Sequence, residues 1–358
     1  MKKINQFLVI LFLLVFAVSA CKKGSQPTGA PTNPFIGGTS GLVINFEADS
    51  PPPEVTDQAF PFKAIVRLVN EGETAVAKTD VEVKLVGFSA SDFDNTADNK
   101  AVQTDLTVSP IVDDLRPKAR DADGELLEGS TTFVEIPQTK MLQADAITGN
   151  TEYTFRADVC YKYRTTTQAR LCVLADLISI SRTEVCNPNQ AKSVFSSSSP
   201  VQVNNFRESV IGKDKVTFSF DIVHSGNGNI YQLGTKTVNS AANIPDCPRD
   251  DLTNRRVKLD KVKVKVDAGD LNAAVSGTAD TGLDCNMEGE AAETTTNARV
   301  GDVRLIGGRR TITCTLGLGS GTSSRHNSDF EKIVNVYLDF NYDDNKETKV
   351  LVKHLLTS

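Results

Sequence analysis

The chain has 358 residues, with 39 basic and 45 acidic side chains and a formal net charge of −6. No block of basic residues stands out, which argues against a nucleic-acid-binding surface. Tryptophan is absent, and extended alternating segments dominate over helical periodicity, so the pattern predicts an all-β protein. The length predicts two domains, because single hydrophobic cores stop growing beyond about 250–300 residues.

The first 21 residues have the layout of an export signal. Two lysines precede a charge-free apolar run from residue 7 to residue 20, and small residues then precede Cys21. This layout predicts a secretory signal peptide over residues 1–20. The run is also shorter than the roughly 20 apolar residues that a membrane-spanning helix needs.

Residues 18–21 read Val-Ser-Ala-Cys and resemble the lipobox of prokaryotic lipoproteins. In that family the cysteine sulfur takes a diacylglyceryl group, and cleavage leaves the cysteine as the new N-terminus. Two acyl chains suffice for stable anchoring. The resemblance therefore implies a lipid anchor on Cys21 that holds the chain at the extracytoplasmic face of the cell membrane. The alternative is an ordinary cleaved signal, or an uncleaved anchor, in which Cys21 has no role.

A stalk and a first domain follow the signal. Residues 21–40 are rich in Gly, Pro, Ser and Thr, which predicts a flexible, lipidated stalk. The first domain is predicted over residues 41–186. Alternation with a period of two predicts its strands at 42–46, 60–68, 81–85 and 131–136.

A tyrosine-containing strand begins directly after a turn at Gly149. Tyr153, Phe155 and Val159 share one face of this strand. The arrangement resembles the tyrosine corner of immunoglobulin-like and fibronectin type III sandwiches, in which the hydroxyl ties back to the preceding loop. The alternative is a strand that merely contains a tyrosine.

The cysteines predict a disulfide framework. An even number of cysteines after Cys21, in an exported chain, indicates three disulfides. The chain has no C-x-x-C pair and its three histidines are scattered, so no metal site is predicted. The six cysteines are Cys160, Cys172, Cys186, Cys247, Cys285 and Cys314.

The first pairing depends on a predicted hairpin. If a turn is centred on Thr166, Cys160 and Cys172 face each other across two antiparallel strands, within disulfide distance. A bridge between either of them and Cys186 is the competing arrangement.

A Ser-rich connection over residues 187–199 predicts a linker to a second domain at 200–358. Gly307 and Gly308 predict a hairpin there. Strands at 334–340 and 350–352 are predicted to pair across a turn at 343–345.

The second domain supplies the remaining bridges. Cys285 and Cys314 lie in the same half of it, so we predict that they pair. That choice leaves Cys186 to pair with Cys247.

A family resemblance joins these features. Residues 160–165 read Cys-Tyr-Lys-Tyr-Arg-Thr, and two further cysteines precede a Ser-Pro-Val-Gln-Val segment at 199–203. With Asn-Glu-Gly at 70–72 and Ser-Gly-Asn-Gly at 225–228, this order resembles archaeal-type cell-surface proteins with immunoglobulin-like (CARDB- or fibronectin III-like) domains. The resemblance implies two antiparallel immunoglobulin-like β-sandwiches, and no catalytic signature comes with it.

A search for chemistry finds little. The chain has no G-x-S-x-G elbow, H-E-x-x-H, Walker A or G-x-G-x-x-G motif, so neither catalysis nor a cofactor is predicted. Acidic loops at 92–98 and 121–125 lack the spacing of an EF-hand, and we interpret them as solvated turns, with calcium binding as the alternative.

The sequence thus predicts a non-enzymatic, lipid-anchored surface protein. It would act as a binding or adhesion module, or as an envelope scaffold, with an envelope protein or glycan as its partner. One alternative is a solute-binding lipoprotein for a sugar or a metal, with a cleft that closes between domains. A second alternative is an extracellular hydrolase with an unrecognised site, which would show clustered ionisable groups in a pocket.

Overall fold

A computed structural model gives the structure of this chain. It describes residues 33–93, 103–174, 185–211, 215–238, 241–269, 282–292, 298–317 and 329–354. Within these residues the chain consists mainly of strands in antiparallel sheets, which confirms the all-β prediction. No helix in the described part of the chain is long and apolar enough to cross a membrane. Residues 1–20 and Cys21 lie outside the described residues, so the signal peptide and the lipid anchor stay predictions.

Two very long strands form the centre of the fold. β9 (Thr151–Val173) and β21 (Phe330–Lys353) pair antiparallel along all 23 residues of β9. We call this pair the central ribbon. The hairpin predicted at Thr166 is wrong, because β9 runs straight through it. Residues 161–171 contain no Gly, Pro, Asn or Asp, and their threonines favour an extended backbone.

The turn predicted at residues 343–345 is also wrong, because β21 is continuous there. Asp343 and Asn341 are residue types that usually bond to their own backbone and bend the chain. Here their side chains bond elsewhere. Arg249 holds the Asp343 carboxylate, and the Asn341 amide donates to the Gly234 and Asp246 carbonyls at 2.7 and 3.1 Å.

One half of the ribbon, around residues 151–161, belongs to a first sandwich. Three short strands extend the ribbon sheet here: β2 (Glu54–Thr56), β4 (Val81–Val86) and β5 (Thr107–Val108). A three-stranded sheet packs over it: β1 (Leu42–Phe46), β3 (Ala64–Asn70) and β8 (Thr131–Ile136). Phe62, just before β3, contacts Phe155 of β9 at 6.1 Å between ring centroids. The two sheets therefore share one apolar core.

The other half of the ribbon belongs to a second sandwich. Strands on the ribbon sheet are β10 (Val194–Ser196), β13 (Asn229–Gln232), β16 (Lys261–Asp267), β18 (Glu288–Ala292) and β19 (Ala298–Arg304). The second sheet consists of β11 (Val201–Val210), β12 (Lys215–His224), β17 (Leu283–Cys285) and β20 (Arg309–Gly317). Phe206 and Phe218 stack in this core at 5.4 Å. The chain turns at Gly307 and Gly308, with positive φ at both residues, and Ile306 bridges to Arg309. The hairpin predicted there is wrong, because β19 and β20 belong to different sheets.

Small elements complete the described chain. They are the hairpins β6 (Ala119–Arg120) with β7 (Leu126–Leu127) and β14 (Thr235–Val238) with β15 (Ala241–Pro245), and the helix α1 (Leu252–Lys258). Asp251 caps α1, since its carboxylate accepts from the Thr253 and Asn254 amides at 3.0 Å each.

The predicted domain boundary at 187–199 does not separate two compact units. Residues 35–358 form one unit, and the central ribbon runs through both sandwiches. The serines at the end of the predicted linker are buried against β9. The Thr165 hydroxyl bonds to the Ser199 hydroxyl at 2.7 Å, and the Thr166 amide donates to Ser197 Oγ at 2.9 Å. Residues 197–199 therefore form a buried polar seam and are not part of a solvated linker.

The predicted stalk is also shorter than residues 21–40, because the compact unit begins at Phe35. The Glu73 carboxylate fixes the chain from this point onward. It accepts hydrogen bonds from the backbone amides of Ile36, Gly37 and Ser198 at 2.8, 2.9 and 2.6 Å. A charged acceptor makes strong bonds to backbone N–H groups. Residues 35–40 therefore belong to the body of the protein.

Three disulfides join all six cysteines beyond residue 21. One of them is a predicted pair, one is the competing arrangement with Cys186, and one was not predicted. Cys160 and Cys172 cannot pair, because 12 residues along one continuous strand separate them by about 40 Å. The observed pairs are Cys160–Cys247, Cys172–Cys186 and Cys285–Cys314.

Candidate binding cleft

Three buried tyrosines of the ribbon lie side by side, and we call them the tyrosine cluster: Tyr161, Tyr163 and Tyr342. The ring of Tyr161 lies 5.8 Å from that of Tyr163 and 5.6 Å from that of Tyr342. Burial raises the pKa of all three hydroxyls, which therefore stay neutral. Each hydroxyl accepts a backbone amide from a neighbouring loop or strand: Leu42 to Tyr161 (3.2 Å), Thr74 to Tyr163 (3.4 Å) and Gly228 to Tyr342 (2.7 Å).

Glycines allow these loops to approach the hydroxyls. A Cβ atom built on Gly72 would lie 1.7 Å from Tyr163 Oη, and one built on Gly226 would lie 2.2 Å from Tyr342 Oη. Any side chain at these two positions would collide with a fixed ring. The Asn-Glu-Gly motif of the sequence is thus the partner of Tyr163, and the Ser-Gly-Asn-Gly motif is the partner of Tyr342.

The hydrogen bond between a tyrosine hydroxyl and neighbouring backbone, which was predicted for Tyr153, occurs at other tyrosines. Tyr153 lies near the start of β9, where its ring packs edge to face on Phe93 at 5.0 Å. The hydroxyls that bond to loop backbone belong to Tyr161 and Tyr163, eight and ten residues further along the strand. The signal for them was present in the sequence as two tyrosines one residue apart, next to a cysteine.

A cleft of about 450 Å³ opens above the tyrosine cluster. Tyr161 and Tyr342 form its floor, strand β1 and the residues before it form one wall, and residues 344–346 of β21 form another. The loop at 225–227 and Pro200 close one end. Its rim carries mostly uncharged polar side chains, with one acid and one base: Ser40, Asn45, Asn227, Asn345, Asp344 and Lys346.

Hydrogen bonds fix the loop at the end of the cleft. The Ser225 and Gly226 amides both donate to the Pro200 carbonyl, at 2.8 and 3.1 Å. His224 Nε2 lies within hydrogen-bond distance, 3.2 Å, of the Tyr342 hydroxyl, which also accepts the Gly228 amide. Burial lowers the pKa of His224, which favours the neutral ring. The cleft is therefore formed in advance of any ligand.

A buried charge cluster lies behind the cleft, next to the Cys160–Cys247 bridge. Arg249 holds Asp343 through two bonds of 2.9 and 2.7 Å, and it also donates to Asp158 at 2.8 Å. Asp343 is 2% exposed. Its burial outweighs the attraction of Arg249 and raises its pKa to about 6.

The raised pKa gives Asp343 a specific pH signature. An unfolded aspartate releases its proton near pH 3.9, and the folded one near pH 6, so the folded state binds more protons between these values. Relative to Asp343→Asn, the free energy of unfolding of the wild type is expected to rise by up to about 3 kcal/mol as the pH falls from 7 to 4. Urea unfolding of both proteins across this range measures the difference.

Asp344→Asn is the matched control, since this neighbouring carboxylate is more exposed and does not contact Arg249. The rise in the free energy of unfolding at low pH should appear in the comparison with Asp343→Asn, and it should be larger there than in the comparison with Asp344→Asn. A flat difference between the wild type and Asp343→Asn would contradict the assignment.

A second buried carboxylate, Glu208, supports the Cys172–Cys186 bridge. It accepts the Cys172 amide at 2.9 Å and pairs with Lys192 at 2.8 Å. Burial raises its pKa, against the effect of Lys192. Glu208 and Asp343 both hold chain segments together, and neither lines the cleft.

The acidic loops form turns where the structure describes them. Asp121 Oδ1 accepts the Asp123 and Glu125 amides at 3.0 and 2.8 Å, which closes the turn between β6 and β7. Asp92 lies within a short 3₁₀ segment, Ala90–Phe93, and residues 94–98 lie outside the described residues. In the described part of the chain, no group of three or more His, Cys, Asp or Glu side chains could hold a metal ion.

Comparison with known proteins identifies no relative. No protein-family model matches the chain, and no curated protein matches it. Among solved structures, the secreted serine protease VesC from Vibrio cholerae aligns at 9% identity with a TM-score of 0.16. The alignment covers 85% of this chain and about half, 51%, of the protease. A TM-score this low carries no argument about fold or activity.

Proposed function

We propose that this chain is a lipid-anchored, extracytoplasmic surface protein that acts as a non-catalytic binding module. Its anchor would be a diacylglyceryl group on Cys21, and its binding surface would be the cleft above the tyrosine cluster. The partner would be another component of the cell envelope.

The three disulfides carry this proposal. All six cysteines beyond residue 21 are joined, and each has its partner within 6.0 Å at Cα. Stable structural disulfides are typical of chains that fold outside the reducing cytosol. They support the export signal of the sequence, and with it the interpretation of Cys21 as an anchor.

The chemistry of the cleft supports binding over catalysis. The ionisable groups at its rim, Asp344 and Lys346, have opposite charge and lie on one strand. The tyrosine hydroxyls of its floor are occupied by backbone amides. A rigid, mostly polar cleft with neutral hydroxyls suits recognition of a polar partner.

The anchor is tested by comparing the full-length chain with its Cys21→Ala variant in a bacterial host. The wild type is expected to partition into detergent, and its mature N-terminal peptide should begin at residue 21 with the mass of a diacylglyceryl group. Cys21→Ala should lose both properties, while Ser25→Ala, four residues further on, should keep them. Identical partition of the wild type and Cys21→Ala, with an unmodified Cys21, would refute the proposed anchor.

A further inference from the structure

Strand β1 is an edge strand. It pairs with β3 on one side only, in a sheet whose order is β1-β3-β8. The odd-numbered residues make this pairing, since the Gly41 carbonyl accepts the Glu71 amide at 3.0 Å and the Glu47 amide donates to the Ile65 carbonyl at 2.9 Å. In an antiparallel strand, the intervening residues direct their backbone groups the opposite way.

The even-numbered residues of β1 therefore direct their backbone groups away from β3. Of these residues, Leu42 and Ile44 line the cleft, and Phe46 follows Asn45, the last residue of the strand that lines it. The Leu42 amide is taken by the Tyr161 hydroxyl. No strand in the described part of the chain pairs with the backbone of Ile44 or Phe46 on this side. These two residues present N–H and C=O groups at the two-residue repeat of a strand, roughly 6.6–6.8 Å apart.

Among the described residues, the free edge of β1 lacks the charges and prolines that usually protect an edge strand. Soluble proteins guard exposed edges with charged residues, proline, bulges or covering segments. β1 reads Leu-Val-Ile-Asn-Phe, with no charge and no proline. By contrast, β18 at the edge of the ribbon sheet reads Glu-Gly-Glu-Ala-Ala and carries two acids. The unguarded edge is the one that borders the cleft.

The opposite wall of the cleft also has a free edge. β21 pairs with β13 up to Asp343 and with β2 from Leu351 onward. Residues 344–350 of β21 lie between these two pairings. Among the described strands, they pair only with β9. Asn345 and Lys346 of this stretch are exposed and line the cleft, and no described strand pairs with their backbone on that side.

We propose that the cleft binds a short extended peptide, which adds to the free edge of β1 as a further strand. The peptide would bond to the backbone of Ile44 and Phe46 and would span about five residues, the length of β1. Its side chains would be uncharged, because the rim offers Ser, Thr and Asn side chains and no net charge. This inference rests on the proposed binding function and names the class of its partner.

A glycan fits the cleft less well than a peptide. Saccharides are held against exposed aromatic faces, which supply apolar contact beside polar groups. The two aromatic rings that line the cleft, Tyr161 and Tyr342, are 1% and 2% exposed. What the cleft offers instead is strand backbone, which pairs with any extended chain.

The proposal is tested by amide hydrogen exchange of the full mature chain, read by NMR at each residue of β1. The probe is a pool of capped octapeptides made only of uncharged residues. In the free protein, Ile44 and Phe46 should exchange faster than Val43 and Asn45, whose backbone groups face β3. Saturation with the pool should slow exchange at Ile44 and Phe46 by about tenfold or more, with no change at Val43 and Asn45.

Two controls separate strand addition from other binding. A pool of the same composition, with alternate backbone amides methylated, should give no protection because it lacks the donors. Asn227→Trp, at an exposed position on the rim, should weaken binding of the unmethylated pool, whereas Asn189→Trp, exposed and outside the cleft, should not.

Three results would overturn the inference. They are protection of Ile44 and Phe46 in the free protein, equal protection by the methylated pool, and binding of neutral oligosaccharides at the cleft in place of the peptides. None of these depends on the lipid, so the detergent-partition assay still decides the anchor separately.

Discussion

Replacement of Cys160 and Cys247 together by alanine is expected to lower the free energy of unfolding by about 4–5 kcal/mol. The bridge joins residues 87 positions apart, and its loss releases the chain entropy of that long loop in the unfolded state. It also frees the segment that carries Arg249, the partner of the buried Asp343. Urea unfolding of the double variant against the wild type, under non-reducing conditions, measures the loss.

The Cys172–Cys186 bridge provides the matched control, because it closes a loop of only 14 positions in the same body. Its double alanine variant is expected to lose about 3 kcal/mol, clearly less than the long-loop variant. An equal or reversed order of the two losses would show that the 160–247 pairing is not the one present.

The second large effect is expected at Gly72. Gly72→Ala places a methyl group against Tyr163 Oη and, at 2.8 Å, against the Ser40 carbonyl. Neither neighbour can move freely, because Tyr163 is buried in the ribbon and residues 35–40 are tied down by Glu73. We expect a loss of about 3 kcal/mol in the free energy of unfolding, at the upper end of overpacking effects.

A double-mutant cycle with Tyr163→Phe tests the cause of this loss. Removal of the hydroxyl relieves the closest contact, so Gly72→Ala should cost less in the Tyr163→Phe background than in the wild type. Gly234→Ala serves as the comparison, since a Cβ atom there meets nothing closer than the Gln232 carbonyl at 3.8 Å and the position has no left-handed φ. A simple sum of the two single losses would mean that the methyl group and the hydroxyl do not collide.

Local patterns were enough to locate individual strands. Alternation alone predicted 42–46 and 131–136, and β1 and β8 have these bounds. In both segments alternate residues point into the core, so the register follows from the burial of one face. The all-β class followed from the same pattern.

Local patterns failed where distant residues decide the conformation. Residues 343–345 carry a strong turn signal, and the strand continues because Arg249, almost a hundred positions away, holds Asp343. Because β9 is continuous, Cys160 and Cys172 lie far apart. They pair with Cys247 and Cys186 instead of with each other. Contacts of this kind are invisible to periodicity, since they depend on how the sheets are assembled.

The cleft could be predicted only in part. The glycine motifs and the paired tyrosines are visible in the sequence, but the role of each depends on a contact with a residue that is distant in the chain. Gly72 matters because of Tyr163, and Gly226 because of Tyr342. The free edge of β1 depends on sheet order, which no single strand reveals.

The most direct test of the account is a disulfide map of the mature protein, with free thiols alkylated in intact cells before extraction. We predict three linked peptide pairs, Cys160–Cys247, Cys172–Cys186 and Cys285–Cys314, with no alkylated cysteine beyond residue 21. Alkylated cysteines at these positions would contradict the export on which the proposed function rests. A Cys160–Cys172 linkage would contradict the continuous ribbon on which the cleft is built.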